Sequence, residues 1–163
     1  MRILTLSNLY PPANMGGMEL RLQETVAGLE ARGHHCQVLT SDFVPPNVSL
    51  PDEPGVARVL KLEADVYHYQ PLHYLMNRRR HLRHNRNAFA SIARTFEPDL
   101  VFFWCMWNLS PSLIATAHKL YPGRVIQSFA GYWPAEPDAH EVYWLTEPDR
   151  KSTRLNSSHR YVS

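Results

Sequence analysis

The first third of the chain combines a short apolar run, a pair of glycines and an amphipathic helix. Residues 2–6 form the apolar run, and prolines at positions 11 and 12 follow it, so a buried strand is predicted to end before them. After Gly16 and Gly17 the apolar residues take helical spacing, at Met18, Leu22, Val26 and Leu29. The helix is predicted to end at Gly33, which suits a left-handed cap. A strand, a Gly-rich turn and a helix N-terminus together form a place where backbone N–H groups can hold an anion, most often a phosphate.

Two common phosphate motifs are missing from this turn. It lacks the Gly-x-Gly-x-x-Gly of dinucleotide folds, and no Gly-Lys-Ser/Thr follows it, which argues against a nicotinamide site and against a P-loop. Glycines at a strand-to-helix turn also occur simply because the chain must reverse direction there. The local pattern therefore leaves a phosphate site and a plain turn as equal alternatives.

Three segments of the chain resemble a known family. They are Asn8 to Pro12 (NLYPP), Gly16 to Glu19 (GGME) and Arg32 to Thr40 (RGHHCQVLT), and together they resemble the N-terminal domain of retaining glycosyltransferases of family 4. In that family the Gly-Gly loop faces the cleft, and its amides approach the diphosphate of a nucleotide-sugar donor. The resemblance implies that Gly16 and Gly17 bind the donor phosphate and that Asn8, Tyr10 and Glu19 line the cleft or contact the acceptor.

A second stretch of resemblance carries a departure from the family pattern. Phe129 to Asp138 (FAGYWPAEPD) resembles the family's segment after the fifth strand, in which Tyr-Trp-Pro is frequent. Many members have a histidine where this chain has Ala130, and that histidine contacts the donor sugar. Its contact is not available here, so the catalytic residues are left unassigned. Tyr132, Trp133 and Asp138 are candidates for the acceptor cleft, with a packed surface loop as the equal alternative.

The charge of the chain is unevenly distributed. Of its 17 basic and 15 acidic residues, four basic and one acidic lie in the last fifteen positions, which leaves 13 and 14 in residues 1–148. Nucleic-acid binding driven by bulk charge is therefore not predicted. The 163 residues, 44% of them hydrophobic, are enough for one core.

Neither a metal site nor a membrane span is predicted. The nine histidines are scattered, and Cys36 and Cys105 have no metal-ligand spacing, so we expect no metal and no cofactor beyond a nucleotide-sugar co-substrate. The first apolar run is too short for a signal peptide or a span, which predicts a cytoplasmic protein.

The rest of the chain alternates predicted strands and helices. Strands are expected at 35–41, 56–62, 100–104 and 124–129, and helices at 78–96 and 110–120. Residues 43–55 contain four prolines and are expected to form a surface loop, while 63–77 has a poor pattern and suggests an ordered loop or a short helix. This order predicts an α/β fold, a Rossmann-like three-layer sandwich with a mostly parallel sheet.

The predicted helix at 78–96 begins with a dense run of positive charge. Five arginines lie between positions 78 and 86, and Arg79, Arg80 and Arg83 are the candidates for contact with anionic lipid at the inner face of a membrane. The alternative is an ordinary solvated helix face, which the sequence favours by about two to one.

The last fifteen residues differ from the rest of the chain. Residues 149–159 contain one leucine among polar side chains and resemble one reading frame of a sequencing-library adapter, so 149–163 are expected to be a disordered, non-native tail. Residues 1–148 are then expected to be one domain, the N-terminal half of a two-domain GT-B glycosyltransferase. By the resemblance, the missing C-terminal domain would bind the nucleotide and supply paired glutamates.

The function that the resemblance implies is transfer of a sugar from a nucleotide-sugar donor to a glycan or lipid-linked acceptor with retention. The chain without its second domain is expected to be inactive. Two alternatives stay open: a non-catalytic module that binds a membrane or a polyanion, and a nucleotide-sugar epimerase of GT-B shape. A following domain with a Glu-x7-Glu pattern would indicate the transferase.

Overall fold

The computed structural model describes residues 1–129, 137 and 139–145. Strands and helices alternate along most of this length. In chain order they are β1 (Arg2–Leu6), α1 (Gly17–Glu30), β2 (His35–Ser41), β3 (Val56–Leu60), α2 (Pro71–Phe96), β4 (Leu100–Phe103), α3 (Ser112–Leu120), β5 (Val125–Gln127) and α4 (Ala139–Leu145).

The strands form one sheet in the order β3-β2-β1-β4-β5, and all four pairings in the described part of the chain are parallel. The central strand β1 pairs on both sides, with Ile3 opposite Cys36 of β2 and opposite Leu100 of β4. The predicted α/β, Rossmann-like fold with a parallel sheet is confirmed.

Helices cover both faces of this sheet and bury two apolar clusters. On one face Leu22 and Val26 of α1 pack with Ile3 and Cys36 of the sheet. On the other face the buried members come from the strands and from α2 and α3, and they include Leu4, Leu6, Phe89, Phe96, Val101, Phe103 and Leu113. Burying one such leucine or phenylalanine contributes about 1.5–3 kcal/mol, so the two clusters hold the three layers together.

The predicted cap at the end of α1 agrees with the structure, whereas the predicted start of α2 does not. The predicted left-handed residue at Gly33 is confirmed, with φ of 81°. The second helix begins at Pro71, seven residues before the predicted start. The prediction was wrong because Leu72, Leu75 and Met76 face outward in the first turns, so the apolar residues there do not mark a buried face.

Polar side chains of α2 fix this helix to the end of β3. The buried Asn85 accepts a hydrogen bond from the Lys61 amide and donates one to the Lys61 carbonyl, both at 2.7 Å. His81 Nδ1 donates to the Leu62 carbonyl at 3.0 Å. Because the Asn85 and His81 side chains hold the backbone just beyond β3, the segment at the carboxyl end of β3 has a fixed position against α2.

Among the described residues, no helix combines the length and the apolar character that crossing a membrane requires.

Candidate functional site

The carboxyl ends of β1 and β4 meet where the strand order reverses. The helix after β1 covers one face of the sheet and the helix after β4 covers the other, so a crevice opens between the two connections. Its walls are joined by two hydrogen bonds: the Asn8 amide donates to the Cys105 carbonyl at 2.8 Å, and Trp104 Nε1 donates to the Met18 carbonyl at 3.0 Å. In open α/β sheets, ligands bind at this position.

Gly16 and Gly17 lie at this crevice, where α1 begins. Gly16 is extended, with φ of −173°, and Gly17 is the first residue of the helix. A Cβ atom added at either position would meet nothing within 4 Å. Neither packing nor backbone conformation therefore demands glycine here, in contrast to Gly33. The glycines leave an open approach to the backbone at the helix N-terminus.

Glu19 places a carboxylate at the same terminus. Its side chain is buried, and Oε2 accepts a hydrogen bond from the Gly16 amide at 3.1 Å. Burial raises the pKa of the Cys105 thiol, and the Glu19 carboxylate adds a smaller effect in the same direction. The Gly16 amide is thus already engaged, and an incoming anion would use the remaining free N–H groups of the first helical turn.

Asn8 and Tyr10, the other two cleft candidates on this connection, are buried in the structure. The Asn8 carbonyl accepts hydrogen bonds from the amide and the hydroxyl of Ser41 at the end of β2. The Tyr10 ring packs in the cluster under α1, and burial, the largest cause, raises its pKa to about 12. Asn8 and Tyr10 thus fix the connection after β1 to the core of the protein.

Arg58 of β3 holds the middle of the same connection. Its guanidinium donates to the Tyr10 carbonyl at 2.9 Å and to the Pro11 carbonyl, lies 5.7 Å from the Tyr10 ring centroid, and is 3.5 Å from the Glu53 carboxylate. Only 10% of this side chain is exposed, and burial lowers the pKa of the guanidinium. Arg58 was not predicted from the sequence as a functional residue; its signal was one arginine among the apolar residues of a short strand.

The remaining candidates are three arginines of α2 and residues outside the described part of the chain. Arg79, Arg80 and Arg83 are exposed on α2. Ala130, Tyr132, Trp133 and Asp138 lie outside the described residues, as does the predicted tail at 149–163. Their assigned roles stay predictions.

Within the described part of the chain, no group of three or more histidine, cysteine, aspartate or glutamate side chains could hold a metal ion. The crevice instead offers backbone N–H groups, one carboxylate and one indole. This set can bind an anion at the helix N-terminus.

Comparison with protein-family models gives one match. A model described as a glycosyl transferase 4-like domain matches residues 16–157, which is most of the chain. No curated protein matches the chain, and no solved structure matches it either.

Proposed function

The chain belongs to the glycosyl transferase 4-like domain family, and from this premise we propose that it is the N-terminal domain of an enzyme that transfers a sugar with retention. The donor is a nucleotide-sugar and the acceptor is a glycan or a lipid-linked glycan. The crevice between the connections after β1 and β4 receives the donor diphosphate. The proposal is supported by the position of this crevice at the reversal of strand order, where ligands bind in open sheets.

The observation that carries this proposal is the open space at Gly16 and Gly17. Glycine is a poor helix former, and here neither a positive φ nor a nearby atom requires it. A ligand that must approach the backbone closely would require it. A diphosphate at a helix N-terminus is such a ligand, because the amides and the helix dipole both favour negative charge.

The proposal leaves the chemical step to groups outside this crevice. By the family resemblance, a second domain binds the nucleotide and supplies paired glutamates, and Ala130 stands where many members have a donor-contacting histidine. The chain by itself should therefore form no glycoside. Donor-dependent product from the purified 163-residue protein would contradict this part of the proposal.

Donor binding can be tested on the chain directly by ¹⁵N NMR. Titration with UDP, GDP and inorganic pyrophosphate should shift the amide signals of the first turn of α1. The variant Gly17→Val should weaken binding at least tenfold, because its side chain fills the open approach. Ala27→Val is the matched control, since it adds the same branched side chain on an exposed position of the same helix.

Two results would overturn the donor site. One is the absence of shifts in the first turn of α1 with all three probes. The other is an effect of Gly17→Val on binding that stays below about 1 kcal/mol or does not exceed that of Ala27→Val, which would make the glycines part of a plain turn.

A second candidate function is contact with an anionic membrane, and an exposed stripe on α2 favours it. Leu72, Leu75 and Met76 are 76%, 57% and 79% exposed. At about 100° per residue they share one side of the helix with Arg79, Arg83 and Arg86. Arg80, also predicted from the sequence as a lipid-contact candidate, lies about a quarter turn away, so we leave it out of this contact. Leu72, Leu75, Met76, Arg79, Arg83 and Arg86 together are called the α2 stripe. Apolar side chains followed by arginines on one face are typical of helices that lie on anionic membranes.

Helix α4 lies beside the apolar end of the α2 stripe. The Tyr74 ring of α2 stacks on His140 of α4 with ring centroids 4.7 Å apart. This short helix also exposes Trp144 and Leu145. Tryptophan and leucine side chains partition into the interfacial region of a bilayer, so α4 would enlarge the contact.

Membrane contact can be tested by co-sedimentation with phosphatidylcholine vesicles that contain phosphatidylserine. Arg83→Gln should weaken binding about fivefold, since each arginine near such a surface contributes about 1 kcal/mol, while the off-stripe control Arg80→Gln should change it little. Met76→Ser should also weaken it. Equal effects of the two arginine variants, or no binding to anionic vesicles, would contradict the α2 stripe as a membrane contact.

A further inference from the structure

A depression with a volume of about 180 Å³ lies at the carboxyl ends of β2 and β3. Its polar and aromatic lining comes from Asp42, Phe43, Lys61, Asp65, His73 and His81. We call it the β2–β3 depression. It opens on the same edge of the sheet as the candidate donor crevice. The two are adjacent, because Ser41, next to Asp42, donates hydrogen bonds to the carbonyl of Asn8 on the connection after β1.

The charges of the β2–β3 depression largely cancel. The Lys61 ammonium is paired with the Asp42 carboxylate. The Asp65 carboxylate accepts hydrogen bonds from the Tyr67 and His68 amides, both at 2.8 Å. One ammonium against two carboxylates leaves no excess of positive charge, so the depression disfavours a phosphate or a carboxylate as its ligand.

His81 adds a hydrogen-bond acceptor to the lining. His81 Nδ1 must carry a proton, because the Leu62 carbonyl to which it bonds can only accept. Burial lowers the pKa of His81, the hydrogen bond to the Leu62 carbonyl raises it, and nearby His73, Lys61 and Arg80 lower it, so the net change is a decrease. The ring is therefore neutral at pH 7, and its remaining polar atom, Nε2, is a hydrogen-bond acceptor.

We propose that the β2–β3 depression binds the neutral, hydroxyl-bearing sugar ring of the acceptor; this inference rests on the transferase function proposed above. Each sugar hydroxyl is both donor and acceptor, and the lining offers carboxylate and imidazole acceptors together with an ammonium donor. The Phe43 side chain supplies an apolar surface for the C–H face of a ring. The volume is below the ~300–1,000 Å³ of sites that enclose a whole drug-sized ligand, so one terminal ring fits.

Saturation-transfer NMR on the 163-residue protein tests this site with three probes: methyl α-glucopyranoside, methyl α-mannopyranoside and methyl α-galactopyranoside. At least one should receive saturation. His73→Phe keeps the ring and removes its nitrogens, Lys61→Met removes the ammonium, and each should lower the signal at least threefold. His118→Phe, on the exposed side of α3, is the matched control and should leave the signal unchanged.

The outcomes separate this site from the donor crevice. Absence of diphosphate shifts in the unmodified protein, together with a retained glycoside signal, would refute only the donor proposal. No saturation of any of the three glycosides would overturn the sugar site, as would signals that survive in both the His73 and Lys61 variants. Displacement of a glycoside by inorganic phosphate would also overturn it, because the depression would then be an anion site.

Discussion

Replacement of Arg58 by methionine tests how firmly the connection after β1 is held. Methionine keeps the length of the aliphatic stem and removes the guanidinium, which donates to the carbonyls of Tyr10 and Pro11. A hydrogen bond to a charged group contributes about 1.5–3 kcal/mol, so two contribute about 3–6 kcal/mol. Part of this is offset because the buried guanidinium no longer has to lose its water. We expect a net loss of about 2–4 kcal/mol in the free energy of unfolding.

Arg2→Met is a matched control for this experiment. Arg2 also lies in a strand, 3.5 Å from a carboxylate and 5.3 Å from an aromatic ring centroid. Its side chain is 43% exposed and that of its partner Glu97 is 75% exposed, whereas Arg58 is 10% exposed. A pair in water contributes about 0–1 kcal/mol, so Arg2→Met should lower stability by less than 1 kcal/mol.

Urea unfolding of both variants, followed by tryptophan fluorescence, measures the difference directly. Typical domains have a stability of about 5–15 kcal/mol, so the Arg58 variant should still fold and give a complete transition. If Arg58→Met lowers stability by no more than Arg2→Met does, the two hydrogen bonds to the connection contribute nothing, and the reasoning from burial fails.

Three further predictions concern the same region. Gly33→Ala should lower stability by about 1–2 kcal/mol in urea unfolding because of its φ of 81°, whereas Gly17→Ala should not lower it; equal effects would contradict the assigned conformations. Glu19→Gln keeps a hydrogen-bond acceptor for the Gly16 amide and removes a negative charge beside the proposed diphosphate, so UDP should bind more tightly in the NMR titration. Weaker binding would contradict repulsion between the Glu19 carboxylate and the diphosphate. The Tyr10 pKa is raised from 10 to about 12, so stability should fall between about pH 10 and pH 12 as the unfolded chain loses this proton first, and ultraviolet titration should detect a late tyrosine that is missing from Tyr10→Phe.

Much of the fold could be predicted because its signals are local. The apolar run before Asn8, the spacing of Leu22 and Val26 and the cap at Gly33 each depend on a few neighbouring residues. The start of α2 could not be predicted in this way. The apolar side chains of its first turns, Leu72, Leu75 and Met76, are exposed. Hydrophobic periodicity indicates a helix only where one face of the helix is buried, so it gave no signal here.

A motif in the sequence marks only one part of the candidate site, and the binding role of that part stays a prediction. Gly16 and Gly17 carry such a motif, and the structure places them at the reversal of strand order. Arg58 and the β2–β3 depression carry none, because their partners lie far along the chain: Arg58 contacts carbonyls 47 and 48 positions away. Contacts of this kind depend on the order of strands in the sheet, which cannot be predicted from neighbouring residues in the sequence.

The register of the central strand has a consequence for how the crevice arises during folding. Pairing Ile3 with Cys36 closes a loop of 33 positions, whereas pairing it with Leu100 closes one of 97. By the logarithmic dependence on loop length, the second closure costs about 1 kcal/mol more entropy. We therefore expect β1, α1 and β2 to assemble before β4 docks, with φ-values near zero at Val101 and higher at Val38. The side of the crevice formed by Trp104 and Cys105 would then form only when β4 docks. A partly folded chain without β4 in place would have the turn at Gly16 and Gly17 but no crevice in which a ligand could bind.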